Sequence, residues 1–231
     1  MTFSTALRPF IPVRLAARLR FHLHPMNSIP WGGPFNGQCG RQQIVVDLLR
    51  TFQFTHVVET GTFYGNTTEF LARETQLPVF TVEANRSAYE VAGLRLRNYP
   101  KVQLFFGDSR SFLHGLMSQT VTAASFPFFY LDAHWEEDLP LLEEIEIILR
   151  IYPRFVAMVD DFQVPDDPGY GFDDYGGTKV LTSEYLEPVI KSLAFGYPRL
   201  PSARESGSRR GCIVLSSREL CSQLRTVPSL R

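Results

Sequence analysis

The chain has 231 residues, of which 44% are apolar and 20% charged, with a formal net charge of −1. That length and balance suit one globular domain and exclude wholesale disorder. The near-neutral charge excludes a global basic field for holding nucleic acid, and no apolar run is long enough to span a bilayer.

The three cysteines, Cys39, Cys212 and Cys221, have neither a disulfide-framework spacing nor a zinc pattern. A reducing, cytoplasmic setting is expected. The first acidic residue is Asp47, whereas Arg8, Arg14, Arg18, Arg20 and Arg41 all precede it. Residues 13–23 mix Arg with Leu, Ala and Phe and predict a basic amphipathic helix, with no secretory h-region. A surface helix packed on the domain is the expected role, and contact with a membrane surface or anionic partner is the less favoured one. A turn-rich joint, Pro30 to Gly37, separates this arm, residues 1–40, from the main body, residues 41–231.

From residue 41 short apolar runs alternate with helical patterns. Helices are predicted over 42–52, 67–74, 87–96, 109–116 and 139–149. Strands are predicted over 56–59, 79–83, 102–106, 128–132 and 155–159. Five such β-α steps imply a doubly wound α/β fold with a mostly parallel sheet. A further helix near 182–193 and strands near 194–197 and 211–215 predict an antiparallel C-terminal closure. No internal repeat interrupts the pattern.

Acidic residues end four of the strands: Glu59, Glu83, Asp132 and the pair Asp160-Asp161. Ligands of open α/β sheets bind beyond the carboxyl ends of the strands, and buried charge is costly unless used or paired. One crevice is therefore the candidate site. The loop Glu59-Thr60-Gly61-Thr62-Phe63-Tyr64-Gly65-Asn66-Thr67 leaves the first strand and opens a helix, with Gly61 and Gly65 allowing a tight turn. Glu83, at the end of the next strand, can accept from both hydroxyls of a ribose, and Asp108 of Gly107-Asp108-Ser109 from an adenine amino group.

This motif series resembles class I S-adenosylmethionine-dependent methyltransferases over roughly residues 42–215. The resemblance implies a Rossmann-like methyltransferase sheet with S-adenosylmethionine as cofactor. It assigns Glu59, Gly61, Tyr64, Gly65, Asn66 and Thr67 to the loop, Glu83 to the ribose, and Asp108 and Ser109 to adenine. A dinucleotide-binding dehydrogenase would want a third glycine, and Glu59 would repel its pyrophosphate.

Asp132-Ala133-His134-Trp135 and Asp160-Asp161 place three carboxylates and an imidazole at adjacent strand ends. Close carboxylates call for a positive partner, and hard oxygen ligands suit Mg²⁺ or a similar cation. The set resembles metal-dependent O-methyltransferases, such as catechol O-methyltransferase and enzymes acting on macrolide sugars. On that resemblance Asp132, Asp160 and Asp161 are metal ligands, and His134 and Asp132 are catalytic. Trp135 stands where the catechol enzymes carry Lys, and Asp161 where they carry Asn. The expected activity is O-methylation of a small hydroxylated acceptor, such as a sugar or secondary metabolite. The alternatives are a metal-free methyltransferase acting on another atom and a non-catalytic scaffold; a homo-oligomer is compatible with either.

The segment 165–177, rich in acid, Gly and aromatics, is a candidate lid carrying Tyr170, Phe172 and Tyr175. Trp31 and Phe35 are candidates to roof the same pocket. Ser208-Arg209-Arg210-Gly211 reads as a turn with a solvated arginine pair.

Overall fold

The computed structural model describes residues 12–23, 29–120, 122, 124–134 and 138–231. Arg8 and Trp135 lie outside them. The first helix, α1, covers Val13–Leu23, as the amphipathic pattern predicts, and α2 covers Cys39–Thr51. Five strands then alternate with helices: β1 (His56–Thr60), α3 (Asn66–Thr75), β2 (Val79–Glu83), α4 (Arg86–Leu96), β3 (Val102–Phe106), α5 (Ser109–Thr120), β4 (Pro127–Leu131), α6 (Leu141–Ile151) and β5 (Val156–Asp160). The chain closes with α7 (Glu187–Ile190), β6 (Leu193–Gly196), β7 (Cys212–Ser217) and α8 (Cys221–Leu224).

The seven strands form one sheet in the order β3-β2-β1-β4-β5-β7-β6. β1 to β5 pair in parallel, and β7 runs antiparallel to both β5 and β6. The expected doubly wound sheet with an antiparallel closure is therefore present. Every residue of β1, β2, β4, β5 and β7 is buried, as strands covered on both faces must be. Two apolar cores lie against the sheet. One contains Phe129, Leu131, Ile145, Ile148 and Val159, the other Phe35, Leu48, Phe128, Tyr130 and Met158.

Local chemistry explains the helix ends. The side chain of Asn85 accepts from the backbone N–H groups of Ser87 and Ala88 and so caps α4. In α6, Glu143 and Glu144 stand in the first turn and Arg150 in the last, which matches the helix dipole. The helix starts at Leu141 rather than residue 139 because the ring of Pro140, its N-cap, disfavours helical backbone at the residue before it. The helix expected near 182–193 shortens to Glu187–Ile190. Pro188 supplies no N–H to extend it backwards, and Thr182 to Glu187 close into successive turns instead.

The parallel registers bring the acidic strand ends to one edge. Thr60 of β1 pairs with Val82 and Leu131, and Leu131 pairs with Val159. Asp132 thus follows β4 at the level where β5 ends in Asp160. The topology reverses between β1 and β4, which opens a crevice at this edge. The joint before α2 is tied into the same body. Phe35 is 1% exposed and packs edge-on against Phe70 and Tyr130, while its N–H donates to Thr67 Oγ1 at 3.2 Å. No helix among the described residues is long and apolar enough to cross a membrane.

Candidate active site

A cavity of about 570 Å³ occupies the crevice. On one side it is lined by Gly61, Phe63, Glu83, Asn85, Asp108 and Ser109. On the other it meets Asp132, His134, Asp161, Asp173 and Arg210, with Trp31 at its border. Its size is in the range usual for small-molecule sites.

The loop between β1 and α3 shapes the first side. Gly61 has φ +86°, and a Cβ there would lie 2.0 Å from the carbonyl oxygen of Asp132, so only glycine fits between the strands. Gly65, in the left-handed region, is the N-cap of α3. Glu83 closes the loop from below: its Oε2 accepts from the Phe63 N–H at 2.6 Å and its Oε1 from the Asn85 N–H at 2.6 Å. Burial raises the Glu83 carboxyl pKa, and these amide bonds work against that rise. Asp108 is anchored by Arg110, which also pairs with Asp138 and Glu143; the Arg110 hydrogen bonds hold the Asp108 pKa down.

Glu59 is fully buried beneath the loop rather than in the cavity wall. Its Oε2 accepts from the hydroxyls of Thr68 and Thr81, both at 2.5 Å, and its Oε1 has no hydrogen-bond partner among the described residues. Burial pushes its pKa up to about 8. Tyr64, Gly65, Asn66 and Thr67 also lie behind the lining. Tyr64 stacks on Phe63, with ring centroids 4.0 Å apart, and its hydroxyl accepts from Arg20. Among the expected loop, ribose and adenine residues, the cavity touches Gly61, Glu83, Asp108 and Ser109.

The second side is a knot of charge. Nε2 of buried His134 stands 3.5 Å from Asp173 and 3.8 Å from both Asp132 and Asp161. Arg210 donates from Nε to Asp161 Oδ1 at 2.8 Å and from Nη2 to Asp173 Oδ1. Burial lowers the His134 pKa, but Asp161, Asp132 and Asp173 outweigh it, so the imidazole ends above its ordinary value. Burial raises the Asp132 carboxyl. For Asp161 burial is outweighed by His134 and Arg210, and its pKa falls.

Asp160 has a different environment from its neighbour. Its Oδ1 pairs with Arg41 of α2 and accepts the Asp161 N–H at 2.7 Å, and its Oδ2 accepts from the Tyr130 hydroxyl at 2.6 Å. Asp160 and Arg41 are each 1% exposed. The ligand atoms of Asp132, His134 and Asp161 lie within 4.8 Å of one another, a group that leaves Asp160 out.

Sequence reasoning missed three charged groups. Asp173 arrives from the segment after β5, whose backbone is pinned by Asp173 N–H to Asp161 O and Leu181 N–H to Asp173 O, both near 3 Å. Arg210, expected in a solvated pair, is instead half-buried between two carboxylates. Arg41 stands in the sequence reading only as one of the arginines that precede the first acidic residue. The surplus of carboxylates over cations at the strand ends was the one available signal for both arginines. Of the candidate lid aromatics, Tyr170 is 2% exposed and donates to the carbonyl of Leu200, whereas Tyr175 donates to Asp173. Trp31 borders the cavity, and Phe35 is in the core beneath it.

Comparison with protein-family models and with curated protein sequences returned no match. Solved structures do match. The O-methyltransferase TomG from Streptomyces achromogenes, in complex with SAM, is 22% identical with a TM-score of 0.53, over 77% of this chain and 79% of TomG. An O-methyltransferase from Bacillus cereus, in complex with SAH, is 17% identical with a TM-score of 0.54, over 94% and 93% of the two chains. A putative caffeoyl-CoA O-methyltransferase from Staphylococcus aureus is 13% identical with a TM-score of 0.56, over 92% and 95%. The chain thus has the Rossmann-like fold of class I methyltransferases.

Proposed function

We propose that this protein transfers a methyl group from S-adenosylmethionine to a hydroxyl oxygen of a small hydroxylated acceptor, such as a sugar or secondary metabolite. The observation that carries the reading is the placing of His134 among Asp132, Asp161 and Asp173 in the wall of the cavity that Gly61 and Glu83 also line. Glu83 takes the ribose hydroxyls, and Asp108 and Ser109 border the adenine. The loop residues Glu59, Tyr64, Gly65, Asn66 and Thr67 support the methionine end from behind the wall. The matched O-methyltransferases with SAM and SAH support the same cofactor.

In the proposed reaction His134 takes the proton of the acceptor hydroxyl. The oxygen attacks the sulfonium methyl in line, the S–CH₃ bond breaks with its electrons passing to sulfur, and S-adenosylhomocysteine leaves. The carboxylates around His134 stabilise the imidazolium that forms, and Arg210 limits their mutual repulsion. Positioning of the two reactants supplies much of the rate. A cytoplasmic setting belongs to the same proposal.

The Asp132, His134 and Asp161 group favours a second reading, in which those side chains hold a divalent cation. This replaces the expected set of Asp132, Asp160 and Asp161, because Asp160 is already engaged by Arg41 and Tyr130. An imidazole in the set suits Mn²⁺ or another transition ion better than Mg²⁺. Such a cation would lower the pKa of an acceptor hydroxyl. An imidazole nitrogen cannot both ligate a cation and take the proton, so the two readings are alternatives.

Thermal-shift titration with S-adenosylhomocysteine tests the cofactor half, since a ligand that binds only the folded state raises the melting temperature. No shift would remove the methyltransferase reading in favour of a scaffold. Repeating it with Mn²⁺, Mg²⁺ or EDTA separates the two chemistries. A shift enlarged by metal and abolished in Asp161→Asn supports the cation, and indifference to EDTA supports His134 as base. An acceptor screen that yields only N- or S-methylated products would overturn the hydroxyl acceptor.

A further inference from the structure

Helix α1 buries one face and leaves the other uncovered. Ala17 is 1% exposed, and the Arg95 guanidinium of α4 lies 5.7 Å from the centre of the half-buried Phe21 ring. Leu15, Leu19 and Leu23 recur at four-residue spacing, so they form one stripe spanning about 80° of the helix circumference. They are 48%, 40% and 64% exposed. Among the described residues, the large exposed hydrophobics are concentrated on α1 and in the turn after it, where Ile29 is 42% and Trp31 54% exposed; Phe106 and Phe195 are the others. A soluble protein rarely gathers such residues without using them.

The stripe is flanked by positive charge. On the helical wheel Arg14, Arg18 and His22 fall to one side of the leucines and Arg20 to the other. The helix carries no acidic residue, and none precedes Asp47 in the sequence. Glu90 of α4, which Arg14 reaches at 3.4 Å, is also paired with Arg86 at 2.8 Å. A second copy of this face would set arginine against arginine. A surface that is apolar beneath and anionic above complements it instead, and exposed Trp31, linked to Arg20 of α1 through the rings of Phe63 and Tyr64, suits the boundary between the two.

We propose that α1 docks on an anionic phospholipid surface, with Leu15, Leu19 and Leu23 at the acyl boundary and Arg14, Arg18 and Arg20 among the phosphates. Because Trp31 borders the cavity and Arg20 contacts Tyr64, the docked face adjoins the rim of the candidate active site.

The test is co-sedimentation of the whole protein with vesicles of phosphatidylcholine alone and of phosphatidylcholine mixed with phosphatidylglycerol. Binding is expected to the mixed vesicles, weakened by salt, and reduced about tenfold or more by L15Q/L19Q/L23Q. Arg18→Glu, a single change at an exposed side chain, should weaken it as well. Circular dichroism melting of each variant should stay close to the parent, since Leu15, Leu19, Leu23 and Arg18 are all exposed. Failure to bind mixed vesicles, or binding unchanged in the variants, would overturn the proposal. So would a dimer in light scattering that the leucine variant dissolves, which would give the face to a second copy.

Discussion

Asp173 Oδ2 stands 3.5 Å from His134 Nε2, although His134 follows β4 and Asp173 lies beyond β5, with the whole of α6 between them in the chain. Tyr175 donates to the same Asp173 carboxylate, and Arg210 holds its other oxygen. Asp173 is thus set in place by the loop rather than by chance proximity, and it acts on the imidazole through charge.

If His134 is the base, His134→Ala lowers kcat about 10²- to 10⁴-fold, the usual worth of a positioned general base. S-adenosylhomocysteine affinity by titration calorimetry should stay close to that of the parent, because Glu83, Asp108 and Ser109, the residues proposed for ribose and adenine, line the other side of the cavity. Unchanged turnover would remove His134 from the reaction.

The pH dependence follows from the raised His134 pKa. A base must be neutral, so the rate should climb through a pKa above the ordinary imidazole value of about 6.5. Asp173→Asn removes one of the carboxylates that raise it. The acidic limb of the kcat profile should therefore move to lower pH in that variant. A limb that stays in place would mean that Asp173 does not face the titrating group.

Glu59 couples stability to pH. Its folded pKa of about 8 lies above the ordinary 4.5, so the folded chain binds the extra proton between those values. Its stabilising effect is full below about pH 4.5 and is lost as pH rises through 8. Glu59→Gln should flatten that decline, a difference on the order of a few kcal/mol across the window. Urea midpoints measured at several pH values check it; parallel curves would refute it.

Arg41 and Asp160 form a buried ion pair whose loss on one side leaves an uncompensated charge. Arg41→Met should destabilise by about 3–5 kcal/mol in chemical denaturation. Adding Asp160→Asn should recover part of that loss, since neither half of the pair then leaves an uncompensated charge. An additive double variant would argue against the coupling.

The sequence by itself determined the sheet, the crevice edge and the glycine loop. These depend on local periodicity, on a positive φ at Gly61, and on acids at strand ends, all of which can be read from neighbours in the chain. It could not decide between Asp160 and Asp161. Alternation along β5 puts Asp160 on the face of Met158 and Tyr130, against Arg41, while Asp161, at φ +51°, turns toward His134 and Arg210. It could not recruit Asp173 or Arg210 either, because both come from segments without periodicity. Only the tertiary structure decided which charges share the cavity: a carboxylate's role depends on its partners in space, and those partners are remote in the chain.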